Sequence, residues 1–332
     1  MLNVGLLGAG FIGATHAGAF AGLEGVRLAT VADVNRAAAD KLAGEYGARA
    51  AYAVEAVLDD PDIDAVSICL PTFLHADTVV AAAKRRKHIL CEKPLALSLP
   101  DVDRMRSAVQ AAGVKCMVAQ VIRFWPEYVR IREALESGQI GRPRLATGAR
   151  LASPPNWGAW FSDPALSGGA LFDLHIHDLD FVFSLFGKPR AVYATGLQSA
   201  AGGWDHVVNT LDYGDKKAIL EASYALPPGF PFHMSFRLTG ETGCLDFQFG
   251  GVAQVDQRAA AQSHLTLYRT GAAPEFPVPP AEDGYRAEIR YFTQCLLENR
   301  EPTVATLAEA REVIAIALAA KQSLETGAVV GL

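Results

Sequence analysis

Short apolar runs and helix-period segments alternate along the first 120 residues. Val4 to Leu7, Arg27 to Ala32, Ala65 to Leu70, His88 to Cys91 and Lys115 to Ala119 read as buried strands. Ala14 to Leu23, Arg36 to Tyr46, Ala76 to Arg86 and Leu99 to Ala112 read as the helices between them. Strict alternation of strand and helix predicts a doubly wound parallel sheet, whose inner strands are apolar on both faces.

Past Arg123 the rhythm changes. A helix over Pro126 to Glu136 ends near Gly138, and a Gly/Pro-rich stretch follows from Gly141 to Pro155. A helix over Leu171 to Phe186 then precedes strand-like runs at Ala191 to Leu197, His206 to Tyr213, Lys217 to Tyr224, Phe232 to Leu238 and Cys244 to Phe249. Close spacing with Gly, Pro and Asp turns predicts a largely antiparallel sheet with one open face. Helices over Asp283 to Glu298 and Leu307 to Thr326 close the chain. The expected division falls near residues 120 to 125, giving an α/β domain over 1–122 and an α+β domain over 123–332.

Composition narrows the function classes. A chain of 332 residues that is 50% hydrophobic and 20% charged is an ordinary globular one. Its formal net charge of -6 offers no basic face for nucleic acid, and the run Lys84 to Lys87 closes a predicted helix, where cations suit the dipole. Five scattered cysteines without CxxC spacing imply neither a disulfide framework nor a zinc ribbon. No apolar run reaches the roughly 18 residues of a membrane span, and the N-terminus lacks the basic region of a signal peptide. A cytoplasmic protein is expected.

The chemistry begins at Gly8-Ala9-Gly10-Phe11-Ile12-Gly13, a GxGxxG between a strand and a helix. Glycines there serve a tight turn, a close backbone approach to a pyrophosphate and helix–strand packing, with the helix N-terminus favouring the anion. The second strand ends at Asp33, twenty residues beyond Gly13, where a carboxylate can accept from ribose hydroxyls. Its charge opposes a 2′-phosphate and so favours NAD over NADP, while Arg36 could offset that charge or stack on adenine.

Ligands of an open parallel sheet bind at the carboxyl ends of its strands. Two later strands end in Cys69-Leu70-Pro71-Thr72-Phe73-Leu74-His75 and in Cys91-Glu92-Lys93-Pro94. Pro94 biases Lys93 toward an extended backbone, placing its ammonium where a nicotinamide would lie; a surface ion pair with Glu92 is the plainer alternative. Within Ser167 to Asp180, Asp173, His177 and Asp180 share one helical face at about 100° per residue. Polar groups on a buried helix need partners, so His177 reads as a general base oriented by Asp173, against the alternative of a satisfied core histidine. A metal site at His175 and His177 is disfavoured, because helical spacing sets those rings about 200° apart.

In order and spacing, the glycine turn, Pro71 with His75, Glu92-Lys93-Pro94 and the Gly168-Gly169 to His177 run resemble the glucose-fructose oxidoreductase, inositol dehydrogenase and rhizopine-catabolism (Gfo/Idh/MocA) family. Leu70 and Thr72 stand where members often carry Thr and Asn. Arg86 stands where Gly is usual, so a left-handed cap there would cost about 1 kcal/mol. The resemblance implies a Rossmann domain, NAD or NADP as cofactor, and a catalytic set of Lys93, Asp173 and His177. The candidate cofactor residues are Gly8, Gly10, Phe11, Ile12, Gly13, Asp33, Arg36, Leu70, Pro71, Thr72, His75, Glu92 and Lys93. Substrate candidates are Lys93, Arg123, Trp157 and His177, with Trp160 a further aromatic nearby.

The expected reaction is hydride transfer between nicotinamide C4 and a hydroxyl carbon of a sugar, polyol or inositol. Alternatives are transient use of bound NAD in glycoside cleavage or epimerisation, reduction of a non-sugar carbonyl or imine, and a non-catalytic regulator. A homodimer or homotetramer through the open sheet face is expected, with no nucleic-acid or membrane partner.

Overall fold

The computed structural model describes residues 1–155, 158–252 and 261–332. The chain runs β1 (Leu2–Leu7), α1 (Phe11–Phe20), β2 (Val26–Ala32), α2 (Arg36–Tyr46), β3 (Arg49–Ala51), α3 (Glu55–Leu58), β4 (Ala65–Ile68), α4 (His75–Lys84), β5 (His88–Glu92), α5 (Leu99–Ala112) and β6 (Cys116–Ala119). It continues through α6 (Pro126–Glu136), β7 (Pro143–Leu151), α7 (Pro164–Ser167), α8 (Gly169–Asp173) and α9 (Ile176–Phe186). Then come β8 (Ala191–Gln198), β9 (Trp204–Asp212), β10 (Lys217–Ser223), β11 (Phe232–Gly240), β12 (Gly243–Val252) and β13 (Gln262–Arg269). The last elements are α10 (Gly284–Leu297), α11 (Leu307–Thr326) and β14 (Val330–Gly331).

These elements form two compact units, Met1–Phe124 with Glu282–Arg311, and Trp125–Ala281 with Glu312–Leu332. A single cut near residue 122 therefore does not describe the chain. Residues 282–311 belong with the first unit because α10 buries Ile289 and Phe292 in one cluster with Leu2, Val4 and Phe20.

The first unit is a parallel sheet in the order β3-β2-β1-β4-β5-β6, the dinucleotide-binding topology. All four residues of β4 are buried, as are all four of β6, which is why these strands read as apolar runs rather than alternations. Leu7 pairs with both Ala32 and Ile68, and Ile68 with Cys91, so β1, β2, β4 and β5 finish at nearly one level. The residues that follow those ends share one edge of the sheet. Helix ends follow their caps: the Asn35 side chain accepts from Ala38 N and opens α2, and the Ser98 hydroxyl accepts from Asp101 N and opens α5.

The second unit carries an eight-stranded sheet in the order β13-β12-β11-β7-β10-β9-β8-β14. Pairing is antiparallel except between β7 and β10. Tyr128 of α6 packs against Phe181 of α9 and against Phe236 and Phe247 of the sheet, covering one face. Opposite it, Tyr193, Leu197, Ile219 and Tyr268 are exposed.

Two departures from the sequence reading matter for the site. The Gly/Pro-rich stretch contains β7, a central strand. The helix expected over Leu171 to Phe186 is interrupted: His175 N donates to Ala170 O at 2.8 Å, a five-residue span, before α9 resumes.

Candidate functional site

In the first unit the glycine turn is shaped by close contacts. Gly8 has φ +101°, and a Cβ there would lie 2.4 Å from the Cys69 carbonyl oxygen. A Cβ on Gly13 would lie 2.0 Å from Gly8 O, so helix and turn can pack only without one. Gly10 differs: it is exposed, and an added Cβ meets nothing within 4 Å. Helix α1 begins there with no side-chain cap and no acid in its first turn. The turn thus leaves room beside Gly10, at a helix start with no acid in its own first turn, which fits a dinucleotide pyrophosphate.

Asp33, just beyond β2, accepts from Ala9 N at 2.7 Å through Oδ2 and from Asn35 N at 2.7 Å through Oδ1. The carboxylate thus steadies the glycine turn, and each oxygen keeps a further lone pair for a ribose hydroxyl. The Arg36 guanidinium lies 4.7 Å from the Tyr52 ring centre, stacked on this chain's own aromatic.

Lys93 follows β5 and is partly buried. Its backbone N–H donates to Glu92 Oε2 at 3.0 Å, while Glu92 Oε1 accepts from His16 Nε2 at 2.9 Å. His16 is fully buried and its Nδ1 lies 2.8 Å from Ser67 Oγ. Burial works against a charge on His16, but the neighbouring Cys69 sulfur and the Glu92 carboxylate outweigh it and hold the imidazole well above its usual pKa. His75, buried at the start of α4, lies 2.8 Å from Leu70 O through one ring nitrogen and 2.9 Å from Pro94 O through the other. Burial keeps its pKa below the usual value, against the pull of those carbonyls.

In the second unit Asp173 ends α8, and His177 is the second residue of α9. Asp173 is 7% exposed, and its Oδ2 accepts from the Tyr224 hydroxyl. Burial first, and then the Asp173 charge, holds the Tyr224 phenol well above its usual pKa, so it remains a donor throughout the working range. Next to His177, Asp178 is fully buried and takes a two-pronged contact from Arg150 of β7, at 2.9 and 3.0 Å. That fork bolts the start of α9 to the centre of the sheet. His175 is also fully buried beside Asn209, and burial pushes its pKa down to about 4.

Residues 2–120 match the oxidoreductase family with an NAD-binding Rossmann fold, and residues 128–246 match the GFO/IDH/MocA C-terminal domain. The chain belongs to the GFO/IDH/MocA oxidoreductase family. Among its relatives is the inositol 2-dehydrogenase of Rhizobium meliloti, 36% identical over 69% of this chain and 71% of that one. The NADP-dependent D-xylose 1-dehydrogenase of Haloferax volcanii is 32% identical over 92% of this chain and 91% of that one. A levoglucosan dehydrogenase solved with NADH and levoglucosan superposes with a TM-score of 0.83 at 26% identity, over 99% of each chain.

Against the expectations for such an oxidoreductase, most candidate positions fall at strand and helix ends, but two candidate roles change. Arg123, expected near substrate, is 4% exposed and donates to Glu309 at 2.7 Å. A guanidinium held so is a structural partner, because freeing it would strand a buried charge. His75 is buried between the carbonyls of Leu70 and Pro94 and, when neutral, donates to one of them, so its ring is tied to the loops. Phe11, Ile12, Leu70 and Pro71 are partly buried around the turn, and Thr72 is buried at the start of a short turn of helix. Trp160 packs on the cluster of Phe161, Leu174 and Tyr224. Trp157 lies outside the described residues. Sequence reasoning missed Tyr224, Arg150 and His16. Each is a polar group buried in an apolar setting, and that was the only available signal.

Proposed function

We propose that this oxidoreductase transfers hydride between NAD and a hydroxyl-bearing carbon of a sugar, polyol or inositol. The observation that carries the reading is the Glu92-Lys93-Pro94 turn. It follows β5 at the level where the glycine turn follows β1, so the backbone that carries Lys93 lies at the edge where strands of such a sheet meet their ligands. Relatives named for inositol, xylose and levoglucosan support the substrate class.

Gly8, Gly10 and Gly13 with the α1 N-terminus would hold the pyrophosphate, and Asp33 the adenosine ribose. The nicotinamide, when bound, supplies the hydride acceptor. In the oxidative direction His177 takes the hydroxyl proton, and Asp173 steadies the resulting imidazolium from its buried place beside Tyr224. Lys93 hydrogen-bonds the oxygen as it gains charge. The Asp33 carboxylate favours NAD, since a 2′-phosphate would meet its charge, and Arg36 is engaged with Tyr52.

A panel of polyols and sugars, run with NAD and NADP and followed by absorbance of the reduced ring, tests this reading. Turnover with NAD on at least one cyclic polyol or aldose is expected, falling by about 10²–10⁴ in His177→Ala. Full activity in that variant would remove His177 as the base. Turnover without net reduced nicotinamide would point to transient use of the cofactor. The reading also includes cytoplasmic residence and self-association through the open sheet face, where Tyr193 and Ile219 both pair with Thr210 in one cross-strand row. Sedimentation of wild type against Ile219→Lys tests the latter.

A further inference from the structure

His16 is a fully buried imidazole to which the reaction assigns no task. It lies on α1, three residues past Gly13, on the helix whose N-terminus faces the dinucleotide site. Its two nitrogens point at different strands: Nδ1 to Ser67 of β4 at 2.8 Å, and Nε2 to Glu92 of β5 at 2.9 Å. Glu92 is itself 5% exposed, and its other oxygen accepts the Lys93 backbone N–H at 3.0 Å. One carboxylate therefore bridges a helical imidazole and the backbone of the lysine, while His75 Nδ1 lies 2.9 Å from the carbonyl oxygen of the next residue, Pro94.

A buried pair could serve stability alone, but this one has a directional arrangement. The Lys93 N–H donates to a side chain that is itself held by α1. Displacing Glu92 would release the backbone from which the Lys93 ammonium projects, and an error of about 1 Å in a reacting group lowers rate by about 10²-fold.

We propose that His16 is a positioning residue which, through Glu92, ties the backbone of Lys93 to the helix that receives the dinucleotide. The inference rests on the assignment of Lys93 made above as far as turnover is concerned, and on geometry alone as far as backbone order is concerned. His16→Asn and His16→Gln separate the two arms. Asparagine places its amide near the Nδ1 position and keeps the Ser67 contact. Glutamine reaches the Nε2 position and can donate to Glu92.

Two readouts apply: amide hydrogen exchange at Lys93 in the cofactor-free protein, and kcat with the polyol that the panel identifies. His16→Asn should speed Lys93 exchange by about tenfold or more and lower kcat similarly, with NAD affinity within about threefold. His16→Gln should stay within about threefold of wild type in both. Equal behaviour of the two variants, or unchanged Lys93 exchange in His16→Asn, would overturn the proposal. Lys93→Met distinguishes the two layers. Wild-type turnover in that variant would remove the lysine from the chemistry, while the exchange ratio of the His16 variants would still decide the positioning claim.

Discussion

Replacing Tyr224 by Phe removes a single oxygen from the second unit. The ring stays: it packs edge-on against Phe161, with centroids 5.7 Å apart, in a cluster with Ala170, Leu174 and Ala222. The hydroxyl that donates to Asp173 goes. A hydrogen bond to a charged group is worth about 1.5–3 kcal/mol, and a buried acceptor left short of its donor costs about 1–3 kcal/mol. Asp173 is 7% exposed, so water replaces the lost donor only partly. If Asp173 supports the imidazolium that forms on His177, half or more of that energy should appear in the transition state. A decrease in kcat/KM of about threefold to a hundredfold is then expected, at about 1.4 kcal/mol per factor of ten. NAD affinity should hold, because Gly8, Gly10 and Asp33 belong to the other unit. The assay is initial rate against polyol concentration, with urea unfolding of the same preparations. A Tyr224→Phe protein that loses about 1–2 kcal/mol of stability yet keeps kcat/KM within twofold would show that this tyrosine serves only the fold, and would refute the coupling.

Three further outcomes follow from groups elsewhere in the molecule. Arg150→Met leaves the fully buried Asp178 without its cation and should destabilise the protein by about 3–5 kcal/mol in urea titration, whereas a loss under 1 kcal/mol would contradict the fork. His175 has its pKa lowered to about 4, chiefly by burial, so its contribution to stability is complete above its unfolded pKa near 6.5 and is lost as pH falls through about 4. That separation corresponds to roughly 3 kcal/mol; His175→Phe should flatten this acid limb with little change at pH 7, and an unaltered limb would assign the loss elsewhere. Arg86 holds φ +57° at the end of α4, where Arg86 N donates to Ala83 O and Lys87 N to Ala82 O. Arg86→Gly should therefore raise stability by about 1 kcal/mol and Arg86→Ala should not; equal effects would mean the left-handed backbone is not the source.

The extents of two helices were legible because helical periodicity is a local signal. Periodicity predicts α2 over Arg36–Tyr46 and α5 over Leu99–Ala112, as observed, each opened by a side-chain cap and closed by a left-handed glycine. Strand β7 was not legible. Its composition reads as a loop, yet Gly148 lies where a Cβ would come within 3.2 Å of Leu220 and of Phe236, so close packing between neighbouring strands, not a turn, accounts for the glycine. The break at Leu174 and His175 carries no Gly or Pro, and the hydrogen bond from His175 N to Ala170 O marks it.

The same distinction governs the site. The spacing within one strand end or one helix singled out Gly8, Asp33, Lys93, Asp173 and His177 as candidates. It could not say which partner each has, because those partners lie far along the chain: 51 residues separate Asp173 from Tyr224, and 76 separate His16 from Glu92. Nor could polarity at a strand end tell a ligand-facing group from one that holds the loop. Arg123 and His75 both looked like ligand contacts on that criterion. Donor accounting changes that picture, since a buried guanidinium already donates to Glu309 and a buried imidazole has a loop carbonyl to receive its N–H. The exposed turn at Gly10, by contrast, leaves room for a close approach of a ligand to the backbone. By the same accounting each Asp33 oxygen, having accepted one backbone N–H, keeps a lone pair for the ribose hydroxyl proposed above.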